Sequence, residues 1–376
     1  MSPVRRPSFH AAPFNWCPVG LAITIAAAGT LGSSVARAAE VASWVRVETA
    51  AVADGPLVGE VLLKAADGGL MVADVAGGHH ILQPEQIVET SVVDPPDRND
   101  AAVVECVTRQ LPAEFVIRTG GDYVIAGDLA DDDADRVATL LQRVHRAFFT
   151  YWDNQGIEVR PPEVPLVAVA LKGRASFRRY AGGDIGDQAE QLLGYYHLES
   201  NRLVIHAIGN RERDVSTIIH EAVHQLAFNS GLQNRLADNP KWMSEGLAMF
   251  FESPDRRNPD RWRSVGGVNP VNLRRLWAYS RRRPEDSLLS LIADDDRFDS
   301  PSTAADAYGE AWALTYFLMR TRSDDYRAYL AEIADGPPLA RSTRRERIET
   351  FERHFGPDLS RLDASFVRYM SKVRVR

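Results

Sequence analysis

The sequence predicts an α+β protein: a small β-barrel, then a larger unit in which a mixed sheet gives way to helices. Three observations carry this. Short apolar runs alternate with glycine turns between Ser43 and Val93. Asp94 to Asp100 is polar and Pro-containing, as a boundary is. Beyond it, apolar runs of strand length precede, past residue 210, apolar residues at helical spacing. The expected division is a signal peptide over 1–38, a barrel over 39–95, a linker over 96–112 and the main unit over 113–376. With 376 residues, 45% apolar and 25% charged, the chain has ample core material and is not wholesale disordered. A formal net charge of −7 offers no basic field to nucleic acid or anionic lipid.

The N-terminus reads as an export signal. Arg5 and Arg6 make a positive start, Val19 to Leu31 is apolar or small, and Ala36-Arg37-Ala38 fits a small-x-small cleavage site. The apolar run is too short for a stable span, and no later stretch approaches about 18 apolar residues. Cleavage would bring the net charge to −10 and remove Cys17, leaving Cys106 as a small buried hydrophobe with no disulfide partner. The expected location is the periplasm, cell envelope or exterior, with no integral membrane segment after processing.

Trp44 to Val47, Val61 to Leu63, Leu70 to Val72 and His80 to Leu82 are the barrel's strands, punctuated by Asp54-Gly55, Asp67-Gly68-Gly69 and Gly77-Gly78. Short strands with tight turns over some 50 residues describe an SH3-like barrel. His79 and His80, adjacent on a strand, point to opposite faces and read as a solvated turn. In the main unit, Glu114 to Ile125 reads as a hairpin around Gly120-Gly121-Asp122. Val137, Leu140, Leu141, Val144 and Phe148 mark a helix opened by Asp131, Asp132, Asp133 and Asp135, acids that favour its dipole. Val164 to Leu171 is a buried strand, Phe177 and Tyr180 a helical turn, and two strands flank Glu199-Ser200-Asn201. Asp294, Asp295, Asp296 and Asp299 lack a metal-loop pattern and read as a solvated loop.

The sharpest motif is His220-Glu221-Ala222-Val223-His224, in a helix whose apolar face includes Val215, Ile218, Ile219, Leu226 and Ala227. Residues four apart on a helix lie one above the other, so both imidazoles face one ion. Glu221, turned about 100° from His220, falls beside the ion's open position and suits a general base for zinc-bound water. Glu245, in Trp242-Met243-Ser244-Glu245-Gly246-Leu247-Ala248, is the third-ligand candidate, on a second helix capped by Asn239-Pro240. Two histidines and one glutamate leave a fourth zinc position open, as catalysis requires. A three-histidine set is excluded, because Ala227 and Ser230 stand where Gly and His would be needed.

These two motifs resemble those of the gluzincin zinc metallopeptidases, the peptidase-MA-like group, over about 113–376; the barrel lies outside the resemblance. It implies a zincin-like fold, zinc on His220, His224 and Glu245, and Glu221 as base and proton shuttle. One departure stands out: where some gluzincins place an acid four residues past the third ligand to orient a zinc histidine, this chain has Met249. Asp238 or Asn229 is expected to take that place, since a ligating histidine needs a partner for its other nitrogen. By the same resemblance Tyr308 is the candidate oxyanion donor, and Tyr195, Tyr196 and Val204 belong to strands that bind substrate backbone.

The function expected is an exported peptidase that cleaves peptide or protein substrates, with Glu221 activating the zinc-bound water. The alternative is an inactive zincin scaffold acting as an envelope-binding protein through its barrel, a reading that the missing acid at Met249 leaves open.

Overall fold

The first sheet grows from strands that alternate inward apolar with outward polar residues. In the computed structural model, residues 37–38, 43–49, 55–206, 212–253 and 265–375 are described; the expected signal segment before Arg37 lies outside them. β1 (Arg37–Ala38), β2 (Trp44–Thr49), β3 (Leu57–Lys64), β4 (Leu70–Asp74), β5 (His79–Leu82) and β6 (Ile87–Val92) pair antiparallel in the order β5-β4-β3-β2-β6, with β1 beside β3. Val45, Val47, Leu57, Val61, Val72 and Leu82 form its core.

The expected barrel is not closed. Among the described residues no pairing joins β5 to β6, and β6 pairs only with β2. Val88 and Val92 are each 78% exposed, so the apolar side chains of β6 that closure would cover stay open. At the opposite end β4 and β5 are drawn against the larger unit instead. There His80 and His79 lie half-buried in β5 rather than in a solvated turn. His80 Nε2 meets the buried Asp74 carboxylate at 2.8 Å, and the His79 amide donates to the Glu199 carbonyl at 2.7 Å.

Residues 96–112 are more than a linker. Asn99 accepts from the Ala102 amide and starts α1 (Asp100–Gln110), which buries Val103 and Val107 completely. The second sheet follows, from β7 (Val116–Gly120), β8 (Tyr123–Gly127), β9 (Leu166–Leu171), β10 (Gly194–His197) and β11 (Arg202–His206), in the order β10-β11-β9-β8-β7. β8, β9 and β11 run parallel, while β7 and β10 are antiparallel edges. Two helices return the chain to the parallel strands: α2 (Asp131–Asn154) joins β8 to β9, and α3 (Arg174–Ile185) leaves β9. α4 (Glu212–Asn229) packs with α2 on one face, against Ala168, Ala170, Leu203 and Ile205. α1 and α3 cover the other, against Val167, Val169 and Val204. Helices on both faces explain why β9 is apolar at every position.

Among the described residues eight further helices follow: α5 (Lys241–Phe251), α6 (Pro270–Ser280), α7 (Ser287–Ala293), α8 (Asp296–Asp299), α9 (Ala304–Thr321), α10 (Ser323–Ala334), α11 (Arg344–Phe355) and α12 (Leu359–Met370). The α5 helix begins one residue later than expected, at Lys241, with Pro240 as its cap. It is buried along nearly its whole length. Gly246 sets its distance to α9, since a Cβ there would stand 2.2 Å from Thr315 Oγ1 and 2.8 Å from the Ala311 carbonyl. The acidic cluster is not a free loop. Asp295 accepts from the Lys241 amide at 3.0 Å and from Arg347 at 2.9 Å, tying the start of α5 to α11. Among the described residues no helix is long and apolar enough to cross a membrane.

Candidate metal centre

The site forms where α4 and α5 meet under the edge strand β10. Apolar residues of α4 press it onto the sheet, which carries His220, Glu221 and His224 inside, each no more than 2% exposed. The Gly246 contact with α9 holds α5 so that Glu245, 1% exposed, faces both imidazoles. His220 Nε2 stands 3.2 Å from His224 Nε2 and 3.2 Å from Glu245 Oε2. His224 Nε2 is 3.8 Å from Glu245 Oε1.

Three ligands each about 2.0–2.1 Å from one tetrahedral ion stand roughly 3.3 Å apart. The His220–His224 and His220–Glu245 Oε2 separations are close to that spacing, His224 stands 3.8 Å from the other Glu245 oxygen, and one ligand atom from each of the three residues lies within 4.8 Å of the others. Two further observations agree. Glu245 Oε1 is buried without a hydrogen-bond partner, which costs free energy unless a cation meets it. His220 Nδ1 lies 2.9 Å from Glu252 Oε2, so its Nδ1–H donates there and its Nε2 lone pair is turned toward His224 and Glu245. This donor set fits zinc.

The electrostatics ask for positive charge at the same point. Burial opposes an imidazolium at His220, yet Glu245 and Glu252 raise its pKa well above the ordinary value; the same carboxylates favour a metal ion. Burial, with His220 adding to it, lowers His224 to about 4 and keeps its imidazole neutral, as a ligand must be. Burial pushes Glu221 up to about 8, with Glu245 and Glu252 adding to the rise and His220 opposing it.

Glu252 is the acid that the sequence reading missed. It caps α5, accepts from His220, and is itself held at Oε1 by Asn269 Nδ2 at 2.7 Å. Asn269 in turn accepts from the Val271 and Asn272 amides at the start of α6. The two residues expected in this role are engaged elsewhere. Asp238 pairs with Arg347 and Arg341. Asn229 bonds Asn201 and the Gln225 carbonyl. Met249 turns its sulfur to Asn272 Nδ2. A signal for Glu252 was present, since seven residues past Glu245 is two turns along the same helix face.

The other expected residues divide. Tyr196, on β10, donates its amide to Glu221 Oε2 at 3.0 Å, which leaves Glu221 Oε1 buried and unpartnered. Its ring stacks on Phe228 and its hydroxyl donates to Asn201. Tyr308, buried on α9, keeps its hydroxyl protonated through burial first and then through the Glu245 and Glu221 carboxylates. Tyr195 and Val204 point to the opposite face, into the core under α3, where Tyr195 donates to Asp184 at 2.6 Å. Adjacent strand residues face opposite ways, so Tyr195 and Tyr196 cannot share a face.

A family model described as a protein of unknown function, DUF1570, matches residues 214–340, a stretch that holds both motifs. No curated protein matches the chain. The solved structures that match include three of M1 zinc metallopeptidases. A mutant two-domain M1 zinc metallopeptidase bound to L-arginine has a TM-score of 0.29 and 15% identity, over 69% of this chain and 52% of that one. A mutant M1 zinc metallopeptidase from Deinococcus radiodurans bound to a Tyr-Ser-Ala substrate has a TM-score of 0.30 and 15% identity, over 70% and 53%. A further mutant structure of an M1 zinc metallopeptidase from Deinococcus radiodurans has a TM-score of 0.31 and 13% identity, over 70% and 53%. The chain spans about half the length of these proteins, and likeness at this level carries no functional weight.

Proposed function

We propose that this chain is a zinc-dependent peptidase of gluzincin type. One observation carries the reading: a buried His220-His224-Glu245 triangle of ligand dimensions, with a glutamate beside it that is held at one oxygen and unpartnered at the other. His220, His224 and Glu245 would hold the zinc. When bound, the ion supplies a Lewis acid and lowers the pKa of water toward about 7.

The chain's own residues do the rest. Glu221 Oε1 takes a proton from the attacking water and returns it to the leaving amine. Tyr196 keeps that carboxylate in place through its amide. Tyr308 donates from its protonated hydroxyl to the oxyanion of the tetrahedral intermediate. β10, an edge strand, takes the substrate backbone by β-addition, and Tyr195 and Val204 support it from the core behind. Glu252 orients His220 and so fills the role of the acid missing at Met249. The substrates are peptides or proteins, and the export reading rests on Arg5, Arg6, the apolar run and Ala36-Arg37-Ala38.

The test is digestion of a mixed peptide library by the zinc-loaded protein beside Glu221→Gln. Cleavage by the wild type, lost in a variant that still binds zinc, is the expected result. Equal cleavage by both would remove Glu221 from the mechanism. An inert wild type with zinc in place would return the reading to a binding scaffold.

A further inference from the structure

The N-terminal sheet meets the larger unit through its β4–β5 turn, and that contact leads to Glu221. The turn between β4 and β5, Asp74 to Gly78, is built on the buried Asp74 carboxylate, which accepts from the Ala76 and Gly78 amides at 2.9 Å each. Gln110 of α1 also reaches Asp74, at 2.9 Å. Ala76 is packed into the core under α1 and α3.

The turn so fixed grips the hairpin of β10 and β11. Arg235 Nη1 donates to the Gly77 carbonyl at 2.8 Å and to the Leu198 carbonyl at 3.1 Å, one guanidinium bridging both. The His79 amide donates to Glu199. Asn201, 2% exposed and at φ 57, sits at the centre. Its Nδ2 donates to the Ala76 carbonyl at 3.2 Å, and its Oδ1 accepts from the Tyr196 hydroxyl at 2.7 Å. Tyr196 then gives its amide to Glu221. The path from the sheet to the proposed base is therefore three polar contacts: Ala76 to Asn201, Asn201 to the Tyr196 hydroxyl, and the Tyr196 amide to Glu221, with Arg235 locking the turn from outside.

We infer that the N-terminal sheet is a positioning element of the site: its β4–β5 turn, held by Arg235 and Asn201, sets the β10–β11 hairpin and through Tyr196 the placement of Glu221. Asn201 and Arg235 are positioning residues. They touch neither the metal triangle nor the Glu221 carboxylate. The hairpin's free edge is also the proposed substrate edge, so the turn sets strand register as well. The structural part stands on contacts alone; its catalytic consequence rests on the peptidase reading.

Gly77 offers the perturbation from the sheet side. It lies at φ +80, and a Cβ there would stand 2.5 Å from Asn201 Nδ2. The full chain, zinc-loaded, is compared with Gly77→Ala, Arg235→Met and Arg235→Lys by amide hydrogen exchange and by peptide turnover. Exchange at Tyr196 is expected to quicken by about tenfold or more in Gly77→Ala and Arg235→Met, with Lys restoring part of the protection and the helices α2 and α12 unchanged. Turnover should fall on the order of tenfold through kcat, with zinc content kept, because a small misplacement of a reacting group is costly. Unchanged exchange at Tyr196 in folded variants would overturn the inference whatever the activity. Quickened exchange in a protein that cleaves no peptide would uphold the positioning and fail the peptidase reading instead. Quickened exchange with full turnover would overturn its catalytic part.

Discussion

Replacing Glu252 by Gln leaves shape nearly unchanged and removes one charge from the contact that orients His220. Glu252 Oε2 lies 2.9 Å from His220 Nδ1, with both side chains no more than 4% exposed. Its other oxygen is satisfied by Asn269, so the carboxylate is fixed and points one way. A hydrogen bond to a charged partner is worth about 1.5–3 kcal/mol. At about 1.4 kcal/mol per tenfold, that predicts zinc bound ~10–100-fold more weakly, the range expected when a metal histidine loses its outer partner. The assay is competition for zinc against a chelator of known affinity, with thermal unfolding of both proteins as the control for folding. A dissociation constant within about threefold of wild type, in a folded variant, would refute the role assigned to Glu252.

Tyr308→Phe should lower kcat by about 10²–10³ with KM and zinc content little changed, as loss of one oxyanion donor does; steady-state kinetics reading a drop only in KM would assign Tyr308 to substrate binding. Trp242, fully buried and stacked on Tyr329 at 5.6 Å, should cost about 3–5 kcal/mol of unfolding free energy when cut to Ala. Urea denaturation giving under about 1 kcal/mol would mean that α5 is not anchored as described. Burial raises the Asp238 carboxyl, but Arg347, the Ser342 amide and Arg341 together hold it below its ordinary value. The unfolded chain therefore binds the proton first, and this contribution is present above the usual carboxylate pKa and lost as pH falls through the depressed one. Acid unfolding of Asp238→Asn should accordingly be less steep than wild type in that window; parallel acid limbs would exclude Asp238 as a source.

The candidate His220-His224-Glu245 group is legible in the sequence because helix periodicity alone brings His220 and His224 together, and because Glu245 sits in its own apolar helix. Strand pattern likewise located the hairpin of β7 and β8 and the fully apolar β9. What failed was everything decided by contacts distant in sequence. His79 and His80 looked solvated because their partners, Glu199 and the carboxylate of Asp74, become neighbours only once the sheets dock. Asp294 and Asp295 looked free because Arg344 and Arg347 lie some fifty residues on. Strand number suggests a barrel but does not dictate closure, which needs β5 and β6 to pair, and β6 pairs only with β2 among the described residues. Tyr195 and Val204 were placed at the site by their strands, although strand alternation already turned their side chains away. Glu252 is less legible for a narrower reason: the motif points to the fourth residue past Glu245, whereas here the acid is the seventh, which shares the same helix face.

The most direct test of the account is the zinc content of the purified chain, by elemental analysis after reconstitution, beside His220→Ala and Glu245→Ala. About one zinc per chain is expected in the wild type and loss of it in both variants, with their folding checked by circular dichroism. Zinc retained by either folded variant, or none bound by the wild type, would contradict the metal centre.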